Sequence, residues 1–308
     1  MFRYYFVYPP AYKILSANRF TIQFYRTLGN KLGDRLKSQR GLSQNSVNQG
    51  RRLVRLLGEY ADVRDGAHFL ELGTGWVHWY STFVRLFYNA NITLFDVWDN
   101  RQIQAFRQFV SQLPDHLTEE EMAALGPSIE LLHGMQRVNS FEELYDLANY
   151  RYVIDEHGSL SAFPDNAFDV LFSCAVFEHI DRSILPEYVA DMHRILKPGG
   201  VSIQIIDMGD HYHYLDPKDT HMKEYLRFSD RLWRLYFENR IHYINRVQAS
   251  EWLALFQDAG FELLHKEQFY TDIGPLKVHR DYQHFSEDDL RCHQLVVVHQ
   301  KPHSEARE

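Results

Sequence analysis

The sequence predicts an α/β protein built on a doubly wound, mostly parallel sheet, with a helical segment ahead of it and a helical insertion after its second strand. Three observations carry this. His68 to Leu72 is a short apolar run broken by Gly73, Thr74 and Gly75; an amphipathic stretch follows, and a second apolar run, Ile92 to Phe95, ends in Asp96. The next strand-like runs, Tyr152 to Asp155 and Asp169 to Ser173, precede a stretch of helical spacing from Leu185 to Leu196. More than fifty residues separate Asp96 from the third strand, too many for one crossover helix.

Taken in order, residues 1–61 read as a basic helical extension and 62–308 as the main domain. Leu53, Leu56 and Leu57 have helical spacing, and the glycines after Leu28 and Leu32 predict breaks between short helices. In the insertion, about 101–149, Ile103, Phe106, Val110 and Leu113 mark one helix face. Thr118 with Glu121 and Ser140 with Glu143 have capping-box spacing and open two more helices. Phe163 and Phe168 should be buried around a turn at Pro164–Asn166. Beyond the least legible stretch, 209–248, the pattern predicts a helix at Ser250–Ala259, a strand at Phe261–His265, a helical turn at Glu287–Leu290 and a last strand at His293–His299.

The glycine turn carries the first functional reading. Gly73 and Gly75 let the backbone take positive φ and approach a ligand, and Asp96 at the end of the second strand can accept hydrogen bonds from ribose hydroxyls. A dinucleotide fingerprint would place glycine at position 78, where this chain has His78. Glu71 beside the turn would repel a diphosphate and attract an ammonium or sulfonium group. These features disfavour NAD and favour a cationic, ribose-bearing cofactor.

With HFLELGTG and Asp96 on view, the chain resembles the class I S-adenosylmethionine-dependent methyltransferases, whose first motif is E-x-G-x-G-x-G. Val77 stands at the third glycine. FPDNAFDVLFS and RILKPGGVSIQIID extend the resemblance to the fourth and fifth strands. It implies a seven-stranded sheet with a closing antiparallel hairpin, and S-adenosylmethionine as cofactor. The implied cofactor-binding residues are Glu71, Gly73, Thr74, Gly75, Asp96 and Val97, with Gly158 and Ser159 near the adenine and Ser173 at the end of the fourth strand.

Composition bounds the partners. Residues 1–60 carry a net +9 within a chain of net −8, leaving −17 on the rest. Either the basic segment packs across an acidic body or it meets an anionic partner. Two cysteines exclude a disulfide framework and a thiolate zinc site, and no apolar run is long enough to span a membrane, so a soluble, cytoplasmic protein is expected.

His179 and His211 follow the expected carboxyl ends of central strands, where they could take an acceptor's proton. Asp207, His211 and His213 could also be read as metal ligands, but with 17 histidines a chance H-x-H is expected and no metal is assigned. The leading reading is methylation of a small-molecule or sugar hydroxyl. Two others compete: a methyltransferase for RNA or another polyanion, contacted by Arg40, Arg51, Arg52 and Arg55, and a non-catalytic binding protein that keeps the fold.

Overall fold

The computed structural model describes residues 4–303. Three helices lead the chain: α1 (Tyr4–Leu15), α2 (Arg19–Arg40) and α3 (Gln44–Tyr60). The sheet follows as β1 (His68–Leu72), β2 (Asn91–Asp96), β3 (Tyr150–Ile154), β4 (Phe168–Cys174), β5 (Leu196–Asp207), β6 (Glu262–Tyr270) and β7 (Cys292–Gln300). Their spatial order is β3-β2-β1-β4-β5-β7-β6. The first five are parallel, and β7 inserts antiparallel between β5 and β6, so the seven strands and closing hairpin are as expected. Strand order reverses between β1 and β4, which opens a ligand crevice at their carboxyl ends.

Alternation along buried strands divides the core into two layers. Phe69, Ile92, Leu94, Val170, Phe172 and Ile203 fill one face, and Leu70, Leu72, Phe95, Leu171, Ile206 and Val297 the other. Helix α4 (Trp79–Phe87) joins β1 to β2 on the first face, and α9 (Leu185–Ile195) and α11 (Ala249–Asp258) cover the second. Helix α3 belongs to the first layer too, since its Val47, Leu53, Leu56 and Leu57 are fully buried there.

Two local expectations are corrected. Helix α2 runs unbroken through Gly29 and Gly33. Asn30 Nδ2 donates to Asp99 O (3.1 Å), and Asp34 Oδ1 accepts from Ala105 N (2.8 Å), so tertiary contacts hold a segment whose propensity is poor. The insertion holds four helices, not three: α5 (Ile103–His116), α6 (Glu119–Leu125), α7 (Ser128–Arg137) and α8 (Phe141–Ala148). Thr118 and Glu121 form a full capping box on α6, whereas Glu143 takes Asn139 N in place of Ser140 N. Helix α7 opens behind Pro127 with no side-chain cap, which left it unsignalled in the sequence.

The stretch 209–248 folds into short turns, including α10 (Asp230–Leu232), which runs straight into a π-helical turn at Trp233–Phe237. With α1 and α12 (Glu287–Arg291) it closes a third, aromatic core of Tyr5, Tyr212, Tyr225, Trp233, Phe237 and Tyr282. Tyr5 OH donates to Asp210 Oδ2 (2.6 Å), tying α1 to the loop after β5.

Helices α3 and α4 meet at Gly50, where an added Cβ would lie 2.7 Å from the Phe83 ring. Gly50→Ala should therefore destabilise by roughly 1–3 kcal/mol through overpacking. Denaturant unfolding measures it, and Phe83→Leu in the same chain should restore part of the loss.

Candidate active site

The turn after β1 is held from both sides. Gly73 and Gly75 take φ of 64° and 65°. Asp96 at the end of β2 accepts Gly75 N at Oδ2 (2.9 Å) and Val97 N at Oδ1 (2.7 Å). Thr74 N donates to Phe95 O (3.1 Å). An added Cβ on Gly73 would meet Val176 at 2.5 Å, so protein and not free space occupies that side, whereas the Cβ side of Gly75 is open out to 3.9 Å.

Glu71 is 1% exposed and accepts the Thr74 hydroxyl (2.8 Å) and the Ser81 hydroxyl, so it joins the turn to the first turn of α4. Burial pushes its carboxyl up to about 7 despite these donors. His78, at the position where a dinucleotide site would need glycine, takes a left-handed φ of 46° and is fully buried. Its Nδ1 lies 2.9 Å from Thr74 Oγ1 and its Nε2 2.9 Å from Tyr145 OH on α8. Burial pulls its pKa down to about 3, which fixes it neutral. One consistent set of donors runs from Tyr145 through His78 and Thr74 to Glu71. Sequence reading passed over His78 because only its failure to be glycine was informative.

The other expected cofactor residues divide. Val97 and Gly158 are adjacent, a Cβ on Gly158 lying 3.4 Å from Val97 Cγ1, and Ser159 N donates to Asp155 Oδ1 (3.1 Å). With Glu71, Gly73, Thr74, Gly75 and Asp96 they gather where β1, β2 and β3 end. Ser173 stands apart: it is wholly buried within β4, and its hydroxyl donates to Gln204 Oε1 in the sheet interior.

Helix α2 lies across these loops. The Lys37 ammonium sits over the Trp76 ring, and the Arg26 guanidinium is 4.9 Å from the Trp98 ring centre. Arg26 also faces the Asp96 and Glu156 charges, which act against the lowering of its pKa by burial. Asn30 Oδ1, Asn100 Oδ1 and Gln102 Oε1 are buried here without hydrogen-bond partners. Orphaned acceptors beside an open glycine and a buried carboxylate fit a polar ligand with donors of its own.

A second cluster forms where β4 and β5 end. The His179 and His211 ring centres are 4.8 Å apart, and His242 lies 5.6 Å from His211. His179 Nδ1 is 2.7 Å from Tyr243 O, which requires a proton on Nδ1 and leaves Nε2 as the free acceptor. Desolvation, then the neighbouring His211, pull the His179 pKa down to about 4, although more than a third of the residue still meets solvent; on either view the imidazole is neutral at physiological pH. His211 Nε2 stands 3.5 Å from Asp207 Oδ2, and Tyr214 OH donates to the same oxygen (2.8 Å). Glu178 is 3% exposed, and burial, then the Asp207 charge, push its carboxyl well up. The N–H groups of Glu178 and Asp207 lie close to this carboxylate, yet neither completes a hydrogen bond. One ligand atom each from Glu178, His179 and His211 lie within 4.8 Å of one another, a spacing that could hold a divalent cation. His213 turns away to Thr220 (3.0 Å), so the H-x-H pair does not act as a unit.

Strand order, glycine turn and acid together define a class I, Rossmann-like methyltransferase fold. The chain belongs to the S-adenosylmethionine-dependent methyltransferases: residues 46–266 match the family described as a methyltransferase domain. It is 32% identical over 106 residues to the sterol 24-C-methyltransferase of Aspergillus fumigatus, which covers 34% of this chain and 25% of that one; the chain thus spans about a quarter of the relative's length. Among solved structures it is similar to a chain in the Haloferax volcanii complex of the Trm112 activator with a candidate methyltransferase (13% identity, 91% and 98% of the two chains, TM-score 0.49). It is also similar to phosphoethanolamine N-methyltransferase 2 of Haemonchus contortus (15% identity, 83% and 52%, TM-score 0.46).

The Glu71 carboxyl makes stability depend on pH. Its folded pKa, about 7, lies above the unfolded value, so the folded chain keeps a proton that the unfolded chain releases. Its contribution is full below about pH 4.5 and is lost as pH rises through 7. Glu71→Gln should remove that slope, so that its stability relative to the parent improves by roughly 1–3 kcal/mol between pH 5 and pH 8 in denaturant unfolding. An unchanged slope would mean that Glu71 ionises normally.

Proposed function

We propose that the enzyme methylates a hydroxyl of a small-molecule or sugar acceptor, with S-adenosylmethionine held at the ends of β1–β3 and the acceptor at the ends of β4 and β5. When bound, the cofactor supplies an electrophilic methyl group on sulfonium sulfur. Gly75 would admit it, Asp96 would accept from its ribose, and Val97, Gly158 and Ser159 would border its adenine. Glu71 acts through the turn that it staples, since its carboxylate is already engaged.

One observation carries the hydroxyl reading: a neutral imidazole with its acceptor nitrogen free, His179, beside a second imidazole, His211, that is flanked by Asp207. A hydroxyl must lose its proton as the new bond forms, and a positioned imidazole can take it. Asp207 would stabilise the imidazolium on His211. Orientation of the acceptor supplies the larger share of the rate, roughly 7–11 kcal/mol, with about 10²–10⁴-fold more from the base. Of the four arginines of the polyanion reading, Arg51, Arg52 and Arg55 are paired to Glu121, Glu267 and Glu59 within the chain, which leaves Arg40 as the exposed one.

Calorimetry should show S-adenosylmethionine or its demethylated product binding to the parent chain and binding at least about tenfold more weakly to Asp96→Ala, the cost of a lost hydrogen bond to a charged group. Undiminished binding would remove Asp96 from the site. With an acceptor in hand, His179→Ala or His211→Ala should lower turnover by at least about tenfold at unchanged cofactor affinity. Rates within about a factor of two for both variants would leave orientation as the whole mechanism.

A further inference from the structure

We propose that the outer face of α2 is a docking surface for an anionic lipid bilayer. The helix is amphipathic in the inverted sense. Its inner face turns Arg26, Asn30, Asp34 and Lys37 toward the cofactor loops. Its outer face carries Phe20, Phe24, Leu28, Leu32 and Leu36, which are 89%, 66%, 46%, 53% and 52% exposed. Residues four apart advance by only about 40° around a helix, so the five form one stripe, along a rod of about 33 Å.

This is not scattered surface apolarity. Among the described residues, 10 of the 21 exposed large hydrophobic side chains fall between Tyr4 and Leu36, on α1 and α2. A soluble monomer rarely leaves so contiguous an apolar patch uncovered.

Charge selects the occupant. Apart from the inner-facing Arg26, Lys37 and Asp34, the charged residues of helix α2 are all basic. Arg19, Arg35 and Arg40 are exposed at the two ends of the stripe, and among the described residues the ion pairs of the basic segment all fall on α3. A helix with aromatic and leucine side chains on one face and lysine and arginine around them lies in the headgroup region of a membrane, held by buried apolar area and by attraction to anionic lipid. The acidic remainder of the chain, at −17, is repelled by the same surface, so one orientation is imposed: α2 down, body away. No helix among the described residues is long and apolar enough to cross a membrane.

The test is flotation of the full chain with vesicles of phosphatidylcholine alone and with vesicles containing about a third phosphatidylglycerol, at low and high salt. Binding is expected to the anionic vesicles, at least tenfold weaker to the neutral ones, and reduced by salt. Phe24→Ser with Leu28→Ser should lose at least tenfold while the melting temperature and S-adenosylmethionine affinity stay at parental values, because both side chains face solvent. No binding to anionic vesicles at low salt would overturn the proposal, as would undiminished binding by the double variant. A dimer seen by light scattering, abolished by the double variant and unaccompanied by vesicle binding, would assign the face to a second copy of the chain. These readouts need no turnover, so they stand whatever the acceptor proves to be.

Discussion

The carboxylate of Asp96 is the constraint on which the site depends. It sits 6% exposed at the end of β2 and reaches back to Gly75 N, locking the turn after β1 to the neighbouring strand. Parallel pairing of β1 with β2 brings the two strand ends together, and the carboxylate converts that proximity into a fixed loop shape. The same carboxylate holds its own backbone at Gly75 N and Val97 N, and in the function proposed above it would also accept from a ribose. Two oxygens with about four lone-pair directions are enough for both.

The chain's electrical asymmetry resolves into two different uses of basic residues. On α3 the arginines pair with Glu121, Glu267 and Glu59, which welds the helix to the insertion and to β6. On α2, among the described side chains, Arg26 and Lys37 meet aromatic rings of the loops after β2 and β1, and Arg19, Arg35 and Arg40 meet solvent. The neighbouring helices share composition yet differ in what faces them. One is buried in the core and the other is laid over the crevice.

Most of the sheet was legible because its signals are local. The apolar run His68–Leu72, the glycines, Phe163 and Phe168 around Asn166, and the C-terminal pattern each have one reading at short range, and β1, β4 and the closing hairpin fall where they point. What stayed illegible is set by contacts distant in sequence. The continuity of α2 rests on Asp99 and Ala105, about seventy residues away. His78 earns its place through Tyr145, and His242 joins His211 only because the 209–248 stretch folds back over β5. Ser173 shows the opposite failure: its position at a strand end was right, but the pleat turns its hydroxyl inward to Gln204. The inverted face of α2 was hidden because apolar spacing alone reports a stripe, and says nothing of which side is wet.

The unbroken course of α2 couples the two loops that border the crevice. With no interruption between Asn18 and Gly41, the helix is a rigid bar that touches the loops after β1 and β2 together. It ends at the turn Ser16–Asn18 on one side and at the left-handed Gly41 on the other. One continuous helix therefore joins the two loops mechanically: through Lys37 on Trp76 and Arg26 on Trp98, a shift in either loop is felt by the other along a single rod.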